Sequence, residues 1–296
     1  MKYVITGGSG NISGPLVEKL LKAGHQVTVI GRKREHLQSL AGQGASVAIG
    51  SVEDLDFLTK TFQGADAVYT MVPPRYDAGD WKGWIGQIGK NYAAAIKATN
   101  IKYLVNLSSI GAHLPEGCGP VSGLYRAEQA LNELEEVHIK HLRPAYFFDN
   151  LLANTGMVKH MNIIGGNFGG ENFKLVLAAT VDIADVAFAE LSSLNFTGHT
   201  YRYISSDERT TSDIATVLGQ AIGKPALSWV TFTDDQSLDG MKQAGLPEEV
   251  AKNYTEMGHA LQSGAMAEDY WKHQPQKGQT KLEDFAKTFA FVYNQN

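Results

Sequence analysis

Apolar positions in the first half of the chain follow two alternating rhythms. Short β-branched runs at Lys2–Thr6, Gln26–Ile30, Ser46–Ile49, Ala67–Val72 and Tyr103–Ser108 predict strands, and His141–Phe147 reads as extended. Between them, Pro15–Ala23, Arg34–Leu40, Glu53–Phe62, Trp81–Thr99 and Gly123–Val137 carry helical periodicity. In the first of these, Leu16, Val17, Leu20 and Leu21 share one face and Gly24 stops the run. Ser51, with Asp54 three residues on, predicts the cap of the Glu53–Phe62 helix.

Strands of five or six residues separated by helices imply βαβ units, which close right-handed onto a parallel sheet. The strands are apolar without alternation, as in Tyr3-Val4-Ile5 and Leu104-Val105, so both faces of the sheet are expected to be covered. Past residue 150 the rhythm changes. Asn162–Asn172, rich in Gly and Asn, reads as a loop. Val181–Leu191 and Ser212–Ile222 read as helices, with Tyr201–Ile204 as a strand between them. Pro247 marks a helix start and Leu282–Tyr293 the last helix. The expected fold class is therefore α/β: a Rossmann-like doubly wound parallel sheet with a smaller, mostly helical C-terminal lobe. The expected division is a dinucleotide-binding domain over 1–150, completed by a returning strand and helix from about 180–210, and a smaller substrate or partner lobe over 151–296.

Bulk composition narrows the function classes. A net charge of −5 argues against nucleic acid or an anionic membrane as partner. No apolar run approaches the roughly 20 residues that cross a bilayer. The chain enters a strand pattern at Lys2 without a leader-like segment, and Cys118 is its single cysteine, so a cytoplasmic protein is expected.

The most informative motif is Thr6-Gly7-Gly8-Ser9-Gly10-Asn11-Ile12-Ser13, between the first strand and the first helix. A dinucleotide diphosphate needs backbone N–H donors and a helix N-terminus, with no side chain in the way. Gly7 permits the turn, Gly10 the close approach, and Gly7, Ser9, Gly10, Asn11 and Ile12 are the expected diphosphate contacts. Ser13 stands where the third glycine of such loops packs helix on strand. The second strand ends in Ile30-Gly31-Arg32-Lys33-Arg34, with cations where an NAD-binding chain carries an acid. Arg32 is therefore the expected partner of a ribose 2′-phosphate, and NADP(H) the expected cofactor.

These residues, with others, resemble the NmrA-like branch of the atypical short-chain dehydrogenase/reductases. The glycine loop is similar to that family's Thr-Gly-x-x-Gly-x-x-Gly. Met71-Val72-Pro73-Pro74, Leu107-Ser108-Ser109, Leu142-Arg143-Pro144 with Phe147 and Asn150, Val181-Asp182-Ile183-Ala184-Asp185-Val186-Ala187 and Lys281–Phe285 match its later motifs in order. The resemblance spans nearly the whole chain. It implies NADP(H)-dependent reduction of quinones or related electron-poor carbonyls, or a redox sensor acting through a protein partner. It places Val72, Pro73 and Ser108 along the nicotinamide half of the cofactor, and Pro144 among the cofactor contacts.

The Tyr-x-x-x-Lys dyad of the wider superfamily is missing. Counting from Tyr125 places Gln129 at the lysine position, and aligning on Glu128 places Leu124 at the tyrosine position. Tyr125 is either a proton donor or a packing residue, and Ser108 either touches the nicotinamide or caps its strand. A quinone reductase needs no dedicated acid, because hydride passes to an electron-poor ring and water can protonate the product. Tyr76, Trp81 and Trp84 follow the fourth strand, and Tyr146, Phe147 and Phe148 end the sixth. They either line a substrate cleft at the carboxyl ends of the strands or join the lobes. A small molecule such as a quinone is the expected partner, with a homodimer or a regulatory protein left open. His138 and His141 read as a surface pair and no metal is expected. Cys118 would be redox-sensitive only if exposed. Asp182 and Asp185 read as helix-start residues.

Overall fold

The structure is a computed structural model that describes residues 1–171 and 173–295. Seven parallel strands form the central sheet: β1 (Lys2–Ile5), β2 (Gln26–Gly31), β3 (Ser46–Ile49), β4 (Ala67–Thr70), β5 (Tyr103–Leu107), β6 (His138–Pro144) and, after three strands outside the sheet, β10 (His199–Ile204). Their order is β10-β6-β5-β4-β1-β2-β3, so the winding reverses between β1 and β4. The doubly wound reading of the alternating pattern holds. In such sheets the ligand crevice opens at the carboxyl ends of the strands beside that reversal.

The unbroken apolar strands divide between two cores. Tyr3, Ile5, Val27 and Val29 pack on one face with Leu16, Leu20, Ile183 and Leu191, while Val4 and Ile30 pack on the other with Leu58, Phe62, Ile88 and Tyr92. Helix Thr180–Ser193 returns to the sheet and pairs with helix Ser13–Lys22, where Lys19 meets Asp185 at 2.6 Å. Asp182, in the first turn of that helix, accepts hydrogen bonds from Ser206 Oγ (2.6 Å) and from Thr280 N and Oγ1 (3.2 and 3.0 Å). It thereby ties the segment before the last helix, Leu282–Gln295, to the sheet.

Outside the main sheet lie β7 (Tyr146–Phe147), β8 (Ile163–Gly166), β9 (Lys174–Ala178), β11 (Asp207–Thr210) and β12 (Ser228–Thr231). Here the sequence expectations need correction. Ile163–Gly166, expected within a loop, pairs in parallel with β12, because the partner strand more than sixty residues on satisfies its backbone; Asn172 of that expected loop lies outside the described residues. The Gly123–Val137 helix runs instead from Pro120, at its first turn, to Asn132. His138 and His141 therefore share β6. His141 is buried, which overturns the surface pair. The cap of helix Leu55–Phe62 is Asp54, whose side chain accepts from Phe57 N at 3.0 Å, and not Ser51, which bonds Glu53 N. Arg34–Leu40 is a 3-10 turn over Arg34–Leu37 followed by a short helix, Gln38–Gly42.

Candidate functional site

The glycine loop sits at the reversal point. Thr6 N–H donates to Tyr69 O (3.0 Å), and its hydroxyl accepts from Met71 N (2.8 Å), which pins the ends of β1 and β4 together. Gly7 has φ +93°, and a Cβ there would strike Ser13 Oγ and lie 2.9 Å from Met71 Cγ. Both the left-handed backbone and the contact demand glycine. Ser13 is buried, and it fits because Gly7 carries no side chain. Ser9, Gly10 and Asn11 are exposed at the tip. The following helix begins at Ile12 with no side-chain cap and no acid in its first turn. Gly14 N–H donates to Gly10 O (2.8 Å) and Pro15 has no N–H, so the Ser13 N–H and the positive end of the helix dipole are what this terminus offers an anion. A side-chain-free cradle beside an uncapped helix fits a diphosphate. Asn11 Nδ2 donates to Asp149 Oδ1 (3.0 Å), joining the loop to the segment after β7.

Arg32, Lys33 and Arg34 follow β2 and are exposed, and none joins an ion pair or side-chain hydrogen bond among the described residues. Val72 and Pro73 are half-buried past the end of β4, and Tyr92 donates to Met71 O at 2.7 Å, fixing that turn. Ser108 is 4% exposed just past β5, with its N–H on Leu142 O at 2.7 Å. Its hydroxyl is buried without a partner among the described residues. Such an atom costs free energy unless a ligand supplies the bond. Pro144 is buried at the end of β6, and its carbonyl accepts from Ile110 N (2.8 Å).

Two polar groupings near this edge have no simple sequence signature. Thr70, Asn106 and His141 lie opposite one another on β4, β5 and β6. Thr70 Oγ1 donates to Asn106 Oδ1 (2.8 Å), which turns the Asn106 amide N–H toward His141 Nδ1 (3.1 Å). His141 Nδ1 therefore accepts, and Nε2–H donates to Asn132 Oδ1 (3.0 Å). Burial pushes His141 down to about 4, so the ring is neutral at pH 7. The second grouping is Arg143, whose guanidinium forks onto buried Glu128 at 3.0 and 2.5 Å and stacks 4.3 Å from the Tyr201 ring. Both residues belong to motifs visible in the sequence, but only the fold pairs them.

Tyr125 is half-buried on the same helix as Glu128 and makes no side-chain hydrogen bond among the described residues. Its neighbour Arg126 is engaged by Glu116 at 2.5 Å, and Gln129 is exposed. The aromatic residues separate into groups. Trp81 is buried with Val250 and touches exposed Tyr76 (5.7 Å) and Tyr254 (5.4 Å), bridging the two halves of the chain. Tyr254 is a residue that sequence reasoning missed. Tyr146 lies against Phe168 (5.8 Å) and lines a cavity of about 340 Å³, while Phe147 is half-buried against the core. Phe148 is a core residue stacked on Phe285 at 5.4 Å, and Trp84 donates to Glu53 at 3.3 Å. Cys118 is fully buried, and desolvation pushes its thiol up to about 12, so it is no reactive thiolate. Among the described residues no group of His, Cys, Asp and Glu could hold a metal, and no helix is long and apolar enough to cross a membrane.

With this geometry in view, the chain is similar over 97% of its length to an NADPH-dependent quinone oxidoreductase from Escherichia coli, solved with NADPH. The TM-score is 0.82, the identity 21%, and 99% of that chain is covered. A triphenylmethane reductase from Citrobacter sp., solved with NADP(H), superposes with a TM-score of 0.77 at 20% identity over 97% of this chain and 99% of the other. At these identities the likeness shows the fold. An uncharacterised Schizosaccharomyces pombe protein is 38% identical over 68 residues, which is 23% of this chain and 23% of its own length. The chain thus matches well under two thirds of that curated relative. The NAD(P)H-binding family model matches residues 7–191, starting at the glycine cradle and running through the returning helix. The chain belongs to this NAD(P)H-binding family, with the fold expected from its resemblance to the NmrA-like short-chain dehydrogenase/reductases.

Proposed function

We propose that the protein is an NADPH-dependent reductase of quinones or related electron-poor carbonyls. The observation that carries the reading is the glycine turn at Gly7–Gly10, with its uncapped helix, beside the end of β2, where exposed Arg32 has no ion-pair partner among the described residues. In this reading Gly7, Ser9, Gly10, Asn11 and Ile12 hold the diphosphate and Arg32 the 2′-phosphate. Val72, Pro73, Ser108 and Pro144 border the nicotinamide, with the Ser108 hydroxyl free to bond the carboxamide. Bound NADPH supplies hydride; the chain's own residues position an acceptor beside it and exclude water. Residues 1–150, with the returning helix and β10, form the cofactor half, and 151–296 the half that closes on the acceptor.

The absent Tyr-x-x-x-Lys dyad favours acceptors that need no strong protein acid. Tyr125 is the one phenol on helix Pro120–Asn132 and the proton donor this reading offers. Of Tyr76, Trp81, Tyr146 and Phe147, the residues expected to wall an acceptor cleft, Tyr146 lines the cavity described above. The test is a thermal-shift titration with NADPH, NADP+, NADH and NAD+, followed by NADPH consumption over a panel of small quinones. A ligand at about 100 times its dissociation constant stabilises the fold by roughly 2.7 kcal/mol, enough to read as a rise in melting temperature. NADPH is expected to raise it more than NADH. Arg32→Ala should weaken NADPH binding by about tenfold or more, the worth of a charge-assisted bond, and leave NADH binding unchanged. No shift with any of the four nucleotides, or no quinone-dependent NADPH consumption, ends the proposal.

A further inference from the structure

The cavity bordered by Tyr146, just past the end of β6, has no member of the Trp81 cluster among its lining residues. Its lining brings together Ile110 from the loop after β5, Tyr146 of β7, Phe173 and Lys174 at the entry to β9, and Leu261 and Trp271 from the C-terminal helices. Its volume of about 340 Å³ is within the range of small-molecule sites. Three of its walls are aromatic: Tyr146, Phe173 and the partly exposed Trp271. Flat aromatic walls favour flat aromatic ligands, by dispersion and offset stacking. Lys174 is the one charged side chain among the lining residues. It is exposed at the rim and enters no ion pair or side-chain hydrogen bond among the described residues.

We infer that this cavity is the acceptor site, and that it selects planar aromatic acceptors carrying an acidic substituent, which Lys174 meets at the rim while Tyr146, Phe173 and Trp271 hold the ring. The inference rests on the reductase reading above and adds the substrate class. Ile110 lies two residues past Ser108 and Tyr146 two past Pro144, so the cavity adjoins the expected nicotinamide position along the chain. Trp81 is buried against Val250 and Tyr254, whereas Tyr146 is the residue of the expected cleft that lines this cavity.

The experiment is calorimetric titration of the NADP+-bound protein with two redox-inert probes of one ring system, 2-naphthoate and 2-naphthylmethanol. The acid is expected to bind about fivefold tighter at low salt, the worth of one solvent-exposed charge pair. Lys174→Met should remove that preference, and added salt should shrink it. Trp271→Ala should weaken both probes. Lys174 and Trp271 are both exposed, so neither substitution threatens the fold. Equal affinity for the two probes, a preference that survives Lys174→Met, or no binding of either probe overturns the inference. Quinone turnover that persists without naphthoate binding discards the acceptor site alone. Lys174-dependent naphthoate binding without any NADPH oxidation keeps the site and discards the reductase.

Discussion

Glu128 is 1% exposed and faces the Arg143 guanidinium through two hydrogen bonds. Removing one partner of a buried pair strands the other charge, which costs more than the pair contributes. Glu128→Ala should therefore lower stability by about 3–5 kcal/mol, read as a fall in the denaturant midpoint at constant slope. The double substitution Glu128→Met with Arg143→Met should cost much less. If Glu128→Ala is neutral, the pair is not desolvated as described. At this scale Gly7 and Ser13 form a second pair, in which one residue's missing side chain makes room for the other's hydroxyl.

At the scale of elements, helix starts decide how strands hand over to the next layer. Helix Leu55–Phe62 opens with Asp54 in an extended conformation, accepting from Phe57 N. Asp54→Ala should cost about 1 kcal/mol, the usual worth of a cap, whereas Ser51→Ala should change stability by less than about half of that. Thermal unfolding of the two variants side by side distinguishes them, and the reverse ranking would reinstate Ser51. The first helix behaves differently: Ile12 offers no cap and its first turn holds no acid. An element that forgoes a side-chain cap at the mouth of a glycine turn leaves the positive end of its dipole for a ligand.

Across the whole molecule, the Thr70–Asn106–His141 ladder links three central strands to Asn132 on a covering helix. His141 titrates near 4 in the fold and near 6.5 when unfolded. The unfolded chain thus binds the extra proton first as pH falls. The stabilisation is complete above about pH 6.5 and is lost progressively toward pH 4, by an amount on the order of 3 kcal/mol. His141→Gln keeps an amide able to bond both asparagines and removes the titration. Its denaturation midpoint should vary less than the parent's between pH 7 and pH 5, and identical pH profiles would refute the role.

Local pattern decided much of this protein. The limits of helix Trp81–Thr99 and strand β3 were legible because a long apolar periodicity, or a short β-branched run, is bounded by its own neighbours. The glycine cradle was legible because it lies within a few residues of one strand and one helix. The later motifs showed the order of the fold but not their purposes: Asp182 reads as a helix-start residue and proves to clamp Thr280 and Ser206. What only the tertiary structure decided depends on residues distant in the chain. The β8 strand exists because β12 pairs with it, and His141 became a core residue because Asn106 and Asn132 meet it there. Trp81 and Tyr146 parted because Tyr254 closes on one and a cavity opens beside the other. Side-chain burial and partnership are sums over contacts that no window of sequence contains, and the cavity beside Tyr146 is built almost wholly from such contacts.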